Sequence, residues 1–134
     1  MNNRDTFFDT NILLYLFSAD SAKADRAEAL LEEGGRISVQ VLNEFAAVAV
    51  RKLKMDWKEI REALALIRAV CTVEPVTIET HDRALLLIER YGFSLYDALI
   101  AASALLAGCS TLFFEDMQHG QVIDHQLTVR NPFA

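Results

Sequence analysis

The sequence predicts a single α/β domain, residues 1–134, in which helices cover both faces of a central parallel sheet. Short apolar strand segments alternate with longer helix segments along the chain, a pattern typical of parallel sheets. The chain has 134 residues, of which 52% are hydrophobic, and this is enough for one core. It contains only 2 prolines and 5 glycines, so we expect neither a long linker nor a second domain.

Five short segments have the apolar, β-branched or aromatic character of strands. The first four are separated by helix segments, so we expect them to run parallel. Pro75 ends the third strand, and the fifth lies close to the C-terminus. The five predicted strands are Phe7–Phe8, Arg36–Val39, Thr72–Val73, Thr111–Phe114 and Leu127–Val129.

Six segments carry good helix formers or apolar residues at helical spacing. Asp56 and Ser94 are suited to cap the fourth and sixth helices, and Gly34, Gly92 and Gly108 are suited to end the second, fifth and sixth. The predicted helices are Ile12–Phe17, Ala22–Glu33, Asn43–Leu53, Trp57–Val70, a segment from a cap at Thr77 or Thr80 to Arg90, and Leu95–Ala107.

Charge and cysteine usage narrow the classes of function. The formal net charge is −6, which argues against a domain that binds nucleic acid through a general basic character. A nuclease remains compatible with this charge, because carboxylates that hold divalent cations add negative charge and the ions reverse the local sign. Cys71 and Cys109 do not have the spacing of metal ligands, and we expect both to be reduced thiols in the core. The sequence has no long apolar run typical of a membrane span and no pattern of a secretion signal, so we expect a cytoplasmic protein.

Acidic residues recur at one edge of the predicted sheet. Asp9 ends the first strand, and Glu44 lies in the first turns of the helix after the second strand. Asp97 lies in the first turn of the helix that leads into the fourth strand, and Asp116, with Glu115 beside it, ends that strand. Ligands bind beyond the carboxyl ends of strands in open α/β sheets, so we expect these acids to converge.

Each acid alone also has a structural interpretation. Asp9 could cap the next turn, and Glu44 and Asp97 could interact favourably with the positive end of a helix dipole. Taken together, converging carboxylates repel one another and resist ionisation unless a cation lies between them. Oxygen ligands suit Mg²⁺ or Mn²⁺, and such an ion would support phosphodiester hydrolysis by activating water and offsetting charge on phosphate.

Four sequence blocks resemble, in order, the signature blocks of the PIN domain, and most closely those of VapC-type toxins of type II toxin–antitoxin modules. The blocks are FFDTNILLYLFS, SVQVLNEF, FSLYDALIAASALLAGC and LFFEDMQHG, and the resemblance covers nearly the whole chain. It implies a three-layer α/β/α sandwich with a central parallel sheet. It also implies an endoribonuclease that depends on Mg²⁺ or Mn²⁺.

The resemblance further implies roles for individual residues. Asp9, Glu44, Asp97 and Asp116 would be the catalytic and metal-binding acids, with Asp9 and Asp97 as direct ligands. Thr10 and Asn11 would orient Asp9 or a water molecule, and Glu115 is a less certain member of the site. Relatives often carry Ser or Thr at the position of Phe114, which cannot supply that hydroxyl.

The resemblance implies partners as well: an RNA substrate, a second copy of the chain in a homodimer, and a cognate antitoxin that covers the site. Several basic residues on one predicted helix either contact phosphate or form a solvated face, namely Arg51, Lys52 and Lys54. His119 either approaches a phosphate or has an ordinary loop role. Apolar residues suited to antitoxin contact, or else to the core, are Ile12, Leu13, Leu16, Phe17 and the Val41–Val50 segment.

Two other functions share these features. A non-catalytic module would use the acids to bind a basic peptide of a partner, and a DNA nuclease would use the same metal chemistry. The 2′-hydroxyl distinguishes RNA from DNA, and the sequence does not identify the residues that read it.

Overall fold

The computed structural model describes residues 4–134, and this range contains six strands and six α-helices. The predicted first helix is divided into a short α-helix and a 3₁₀ turn, Tyr15–Phe17. The elements are β1 (Thr6–Phe8), α1 (Thr10–Leu14), α2 (Ser21–Glu32), β2 (Gly35–Ser38), α3 (Val39–Arg51), α4 (Trp57–Val70), β3 (Cys71–Glu74), α5 (Ile78–Tyr91), α6 (Leu95–Leu106), β4 (Thr111–Phe113), β5 (Val122–Ile123) and β6 (Leu127–Arg130).

The strands form one sheet in the order β3-β2-β1-β4-β6-β5. Every neighbouring pair is parallel except β5 and β6, which form an antiparallel hairpin at the edge. The helices cover the sheet, with α5 packed on α6 and with α3 packed against α1, α4 and α6. The predicted α/β/α sandwich with a parallel sheet is therefore confirmed, and β5 is an addition that the sequence pattern did not predict.

Two element boundaries differ from the prediction in ways that affect the site. Helix α3 begins at Val39 rather than Asn43, because the Ser38 hydroxyl accepts a hydrogen bond from the Val41 amide and caps the helix there. Glu44 consequently lies in the second turn of α3. Strand β4 ends at Phe113, so Phe114 belongs to the loop that leads to the acidic pair.

The core lies between the sheet and the helices. Phe7 and Phe8 of β1 are fully buried in it, and Gly35 lies so close to Phe8 that a Cβ at this glycine would be 2.5 Å from the ring. Helix α6 is buried on nearly all sides from Ala98 to Leu105, which accounts for its long apolar run. None of the helices formed by residues 4–134 has both the length and the apolar character needed to cross a bilayer.

Both cysteines are core thiols, as predicted. Cys71 and Cys109 are buried and form no disulfide. Burial raises the pKa of each thiol to about 11, so both stay protonated at neutral pH and are poor nucleophiles.

Strand register positions the site. In the pairing of β1 with β4, Phe8 lies opposite Phe113, so both strands end at the same level. The Asp9 amide then donates a hydrogen bond to the Phe113 carbonyl, with N and O 3.0 Å apart. The residues that follow the two central strands are therefore neighbours at the carboxyl edge of the sheet.

Candidate functional site

Asp9 lies at the end of β1 and caps α1. Its carboxylate accepts a hydrogen bond from the Asn11 amide at 3.3 Å, yet only 4% of the residue is exposed. Burial raises its pKa to about 7; hydrogen bonds from the Asn11 and Thr10 amides oppose this shift, and the charges of Glu44 and Asp97 add to it. The capping role is thus real, but it leaves the buried charge only partly compensated.

Glu44 faces Asp9 from α3 and is held by two side-chain donors. The Thr10 hydroxyl donates to Oε2 at 2.7 Å, and the Gln40 amide nitrogen donates to Oε1 at 3.0 Å. Gln40 lies one helical turn before Glu44, where residues i and i+4 share a face. Both carboxylate oxygens are therefore fixed in orientation.

Asp97 lies in the first turn of α6, whose N-cap is Ser94. The Ser94 hydroxyl accepts a hydrogen bond from the Asp97 amide at 3.3 Å, so the start of the helix is fixed beside the acid. Burial raises the pKa of this half-buried carboxyl, and the negative charges of Glu44 and Asp116 raise it further. A hydrogen bond with the Ser94 side chain lowers the pKa but does not cancel the rise. Asp97 therefore interacts electrostatically with each of the other three acids of the cleft.

Asp116 and Glu115 are neighbours in the chain but point to different places. Asp116 is exposed and accepts a hydrogen bond from the Asn11 side-chain amide at 3.2 Å. Glu115 instead accepts hydrogen bonds from the Tyr15 hydroxyl at 2.5 Å and the Lys23 ammonium at 3.1 Å. The hydrogen bond from Tyr15, and then the contacts with Lys23, lower the pKa of Glu115. Glu115 therefore forms an ion pair with Lys23 and does not point into the cleft with the other acids.

A cleft of about 640 Å³ joins the four predicted acids. Arg51 lies on its wall, whereas Lys52, Lys54, Glu115 and His119 are not among its lining residues. The lining residues are Asp9, Thr10, Asn11, Leu14, Gln40, Asn43, Glu44, Ala47, Val48, Arg51, Tyr96, Asp97, Phe114 and Asp116. The sequence prediction of a shared acidic site therefore corresponds to one cavity.

Three polar residues of the cleft were not singled out from the sequence: Gln40, Asn43 and Tyr96. The helical spacing of Gln40 and Glu44 would have indicated the first of them, had the start of α3 been predicted correctly. Tyr96 directly precedes Asp97 and could have been suspected from that position. Phe114 is almost fully buried at the edge of the cleft and supplies no hydroxyl there, in agreement with the departure noted in the sequence.

His119 has a local structural role. Its Nδ1 atom accepts a hydrogen bond from the Asn131 amide at 2.9 Å, which ties the loop after β4 to the C-terminal segment. The ordinary loop interpretation of His119 thus fits the structure, and the interpretation as a phosphate contact has no support from its position.

The donor set of the cleft fits a hard divalent cation. Four of the five charged side chains that line the cleft are carboxylates, and the carboxyl group of Asp9 is buried beside the negative charges of Glu44 and Asp97. Among residues 4–134, no three His, Cys, Asp or Glu side chains are grouped tightly enough to form a ready-made metal cage. Mg²⁺ commonly retains several waters and needs only one or two direct carboxylates, a requirement that Asp9 and Asp97 can meet.

Comparisons with known proteins agree on the fold. A toxin–antitoxin complex from Klebsiella pneumoniae contains a chain with a TM-score of 0.72 and 23% identity, over 95% of this chain and 97% of that one. The sarcin–ricin loop cleaving toxin VapC20 of Mycobacterium tuberculosis has a TM-score of 0.68 and 23% identity, over 83% and 91%. VapBC2 from Rickettsia felis, bound to a promoter DNA fragment, has a TM-score of 0.68 and 18% identity, over 93% and 96%.

At these identities the solved structures establish a likeness of fold, and no curated protein sequence matches the chain. The family assignment comes from the sequence itself, because the PIN domain model matches residues 6–122. This range includes β1, α3, α6 and the loop after β4, which together carry the four acids of the cleft. The chain belongs to the PIN domain family.

Proposed function

We propose that this protein is a metal-dependent endoribonuclease that hydrolyses RNA phosphodiester bonds in the acidic cleft and acts as the toxin of a type II toxin–antitoxin module. The observation that carries the proposal is the buried carboxyl of Asp9, which faces the charges of Glu44 and Asp97 in an open cavity. Such an arrangement is unfavourable in isolation and becomes favourable when a cation neutralises it. Membership of the PIN family and the VapC-like fold support this interpretation.

Asp9 and Asp97 would hold Mg²⁺ or Mn²⁺, and Glu44 and Asp116 would complete the site directly or through water. When bound, the ion would lower the pKa of a water molecule and offset the charge that develops on phosphate. Thr10 and Gln40 fix both oxygens of Glu44, and Asn11 fixes one oxygen of Asp116. The acids are thus oriented by neighbouring side chains, and little reorganisation is needed before reaction.

Cleavage of RNA by the chain, freed of any partner, tests this assignment. We expect cleavage with Mg²⁺ or Mn²⁺ and a decrease on the order of 100-fold in Asp9→Asn and Asp97→Asn, because each loses a direct ligand worth several kcal/mol. Asp56→Asn is the matched control, since Asp56 is also a helix N-cap but lies outside the cleft. Undiminished cleavage in either site variant would refute the assignment.

An antitoxin partner is proposed on the basis of a second, apolar groove between α2 and α4. The 3₁₀ turn contributes Leu16 and Phe17 to it, and α4 contributes Leu66, which is 72% exposed. Two acids, Glu28 and Glu32, also line this groove. Its occupant would therefore be an apolar segment of the antitoxin flanked by basic residues.

The structure distinguishes the apolar residues considered for this contact. Ile12, Leu13 and Val41 are fully buried and fill the core, whereas Phe17 is exposed and lines the groove. We therefore assign the antitoxin contact to Leu16 and Phe17 rather than to α1.

A charge placed in the groove tests the partner proposal. We expect Leu66→Glu to weaken binding of the co-expressed antitoxin at least about tenfold, because it buries an unpaired carboxylate against an apolar segment. Ile78→Glu is the control, since Ile78 is 75% exposed on α5, away from the groove. Equal antitoxin affinity of both variants, measured by interferometry, would argue against this groove.

A further inference from the structure

An exposed aromatic ring lies at the acidic cleft. Tyr96 is in the first turn of α6, directly before Asp97, and lines the cavity while 59% of the residue is exposed. Within the part of the chain that the structure describes, its ring pairs with no other aromatic ring and its hydroxyl makes no hydrogen bond. The ring is therefore available to a ligand that enters the cleft.

A single basic residue lines the same cleft. Arg51 is at the end of α3, on the face that carries Gln40 and Glu44, and it is the one Lys or Arg among the cleft-lining residues of the described range. It makes no ion pair with a described carboxylate. Arg51 is seven positions after Glu44, which corresponds to ~10 Å along the helix axis.

These positions match the two components of an RNA chain. An aromatic face stacks on a base, and a guanidinium forms charge-assisted hydrogen bonds with phosphate oxygens. Arg51 lies two helical turns beyond Glu44 on the same face of the helix, so its guanidinium is suited to a phosphate that flanks the scissile one. Tyr96 is next to Asp97 in the chain, so its ring is suited to a base beside the scissile bond.

We propose that Tyr96 and Arg51 position the RNA substrate in the cleft: a base next to the scissile phosphate stacks on Tyr96, and a flanking phosphate is held by Arg51. The inference rests on the proposed ribonuclease function and adds two residues that position its substrate. In a duplex the bases are stacked on one another and their faces are covered, so a base must be unpaired to lie on Tyr96.

Equilibrium binding tests this without any chemical step. The probe is a fluorescein-labelled ten-nucleotide RNA, unpaired or annealed to its complement, with Ca²⁺ in place of Mg²⁺ or Mn²⁺. We expect tighter binding of the unpaired form and a loss of about tenfold in Tyr96→Ala, the factor that corresponds to ~1.4 kcal/mol. Tyr96→Phe keeps the ring and should bind like the unchanged protein.

Arg51→Gln should weaken binding and reduce the slope of log affinity against log salt by about 0.7, the change expected for one lost phosphate contact on a single strand. Two controls carry comparable exposed side chains outside the cleft. Trp57→Ala removes an aromatic residue that is 60% exposed on α4, and Arg61→Gln removes an exposed cation from the same helix. Both should leave the affinity unchanged.

Cleavage measured in parallel separates this inference from the proposed function. Tyr96→Ala and Arg51→Gln should raise KM more than they lower kcat. If RNA is cleaved but neither variant changes binding or kcat/KM, the inference is overturned and the ribonuclease assignment stands. If binding depends on both residues but neither metal supports cleavage, the assignment fails and the inference stands. Equal affinity for duplex and unpaired RNA, or no binding of either, also overturns it.

Discussion

At the scale of single residues, Asp9 combines a helix-capping role with the catalytic role that we propose for it. Its carboxylate caps α1, as a polar residue before a helix should, and burial raises its pKa to about 7. A cap alone does not require such burial, because the N-caps Asp20 and Asp56 are exposed. The burial of Asp9 is what we expect if it also binds the proposed cation.

The raised pKa predicts how stability depends on pH in the metal-free protein. The pKa of Asp9 in the folded state is above its usual value of 3.8. The contribution of this group to stability is therefore fully present below pH ~4 and is lost as the pH rises to about 7, because the unfolded chain releases the proton more readily than the folded one. Between pH 5 and pH 8 we expect the free energy of unfolding to fall by about 2–3 kcal/mol from this group. Urea unfolding in EDTA at both values measures it.

Asp9→Asn is the diagnostic variant, because asparagine also caps helices but does not titrate. It should lack this loss and be more stable than the unchanged protein at pH 8, whereas Asp56→Asn should retain the loss. The same pH dependence in the protein with and without Asp9 would contradict the electrostatic description of the site.

At the scale of elements, the loop after β4 determines where its two acids point. Glu115 is held by the Tyr15 hydroxyl and by Lys23, whose ammonium also lies over the rings of Tyr15 and Phe133. The Asn131 side-chain amide donates to the carbonyl of Glu115 at 3.5 Å. The C-terminal segment thus fixes the loop from which Asp116 reaches the cleft.

Loss of this anchoring should reduce activity more than stability. We expect Tyr15→Phe, which keeps the ring packing but removes the hydroxyl, to lower the cleavage rate several-fold because Asp116 is less well placed. The free energy of unfolding should fall by only about 1 kcal/mol, the net value of one hydrogen bond. Single-turnover cleavage and urea unfolding measure the two effects. An unchanged rate would show that the loop needs no such anchor.

The contacts of the β5–β6 hairpin explain why the sequence did not predict strand β5. The β5–β6 hairpin lacks the usual Asn-Gly or Asp-Gly signal. It turns through Asp124 and His125 with positive φ, and Asp124 is held by Arg83, Arg90 and Tyr91 of α5. A two-residue strand stabilised by such distant contacts leaves no periodic pattern in the sequence.

At the scale of the whole molecule, the sequence was sufficient for five of the six strands and for the convergence of the four acids on one cleft. Period-2 and period-3.6 patterns report burial directly, and parallel topology brings strand ends to one edge. The direction of Glu115 was not predictable, because it depends on contacts with Tyr15 and Lys23, which are far from it in the chain. The homodimer and the cytoplasmic location stay predictions, and the molar mass of the purified chain in solution tests the first.

The function proposed for the cleft depends on the binding of a divalent cation by Asp9 and Asp97, with Glu44 and Asp116. Titration calorimetry with Mn²⁺ at pH 8 tests it most directly. We expect Mn²⁺ to bind to the unchanged protein and to Asp56→Asn, and to bind at least about tenfold more weakly to Asp9→Asn and Asp97→Asn. Equal Mn²⁺ affinity in all four proteins, or no binding to the unchanged protein at millimolar Mn²⁺, would contradict it.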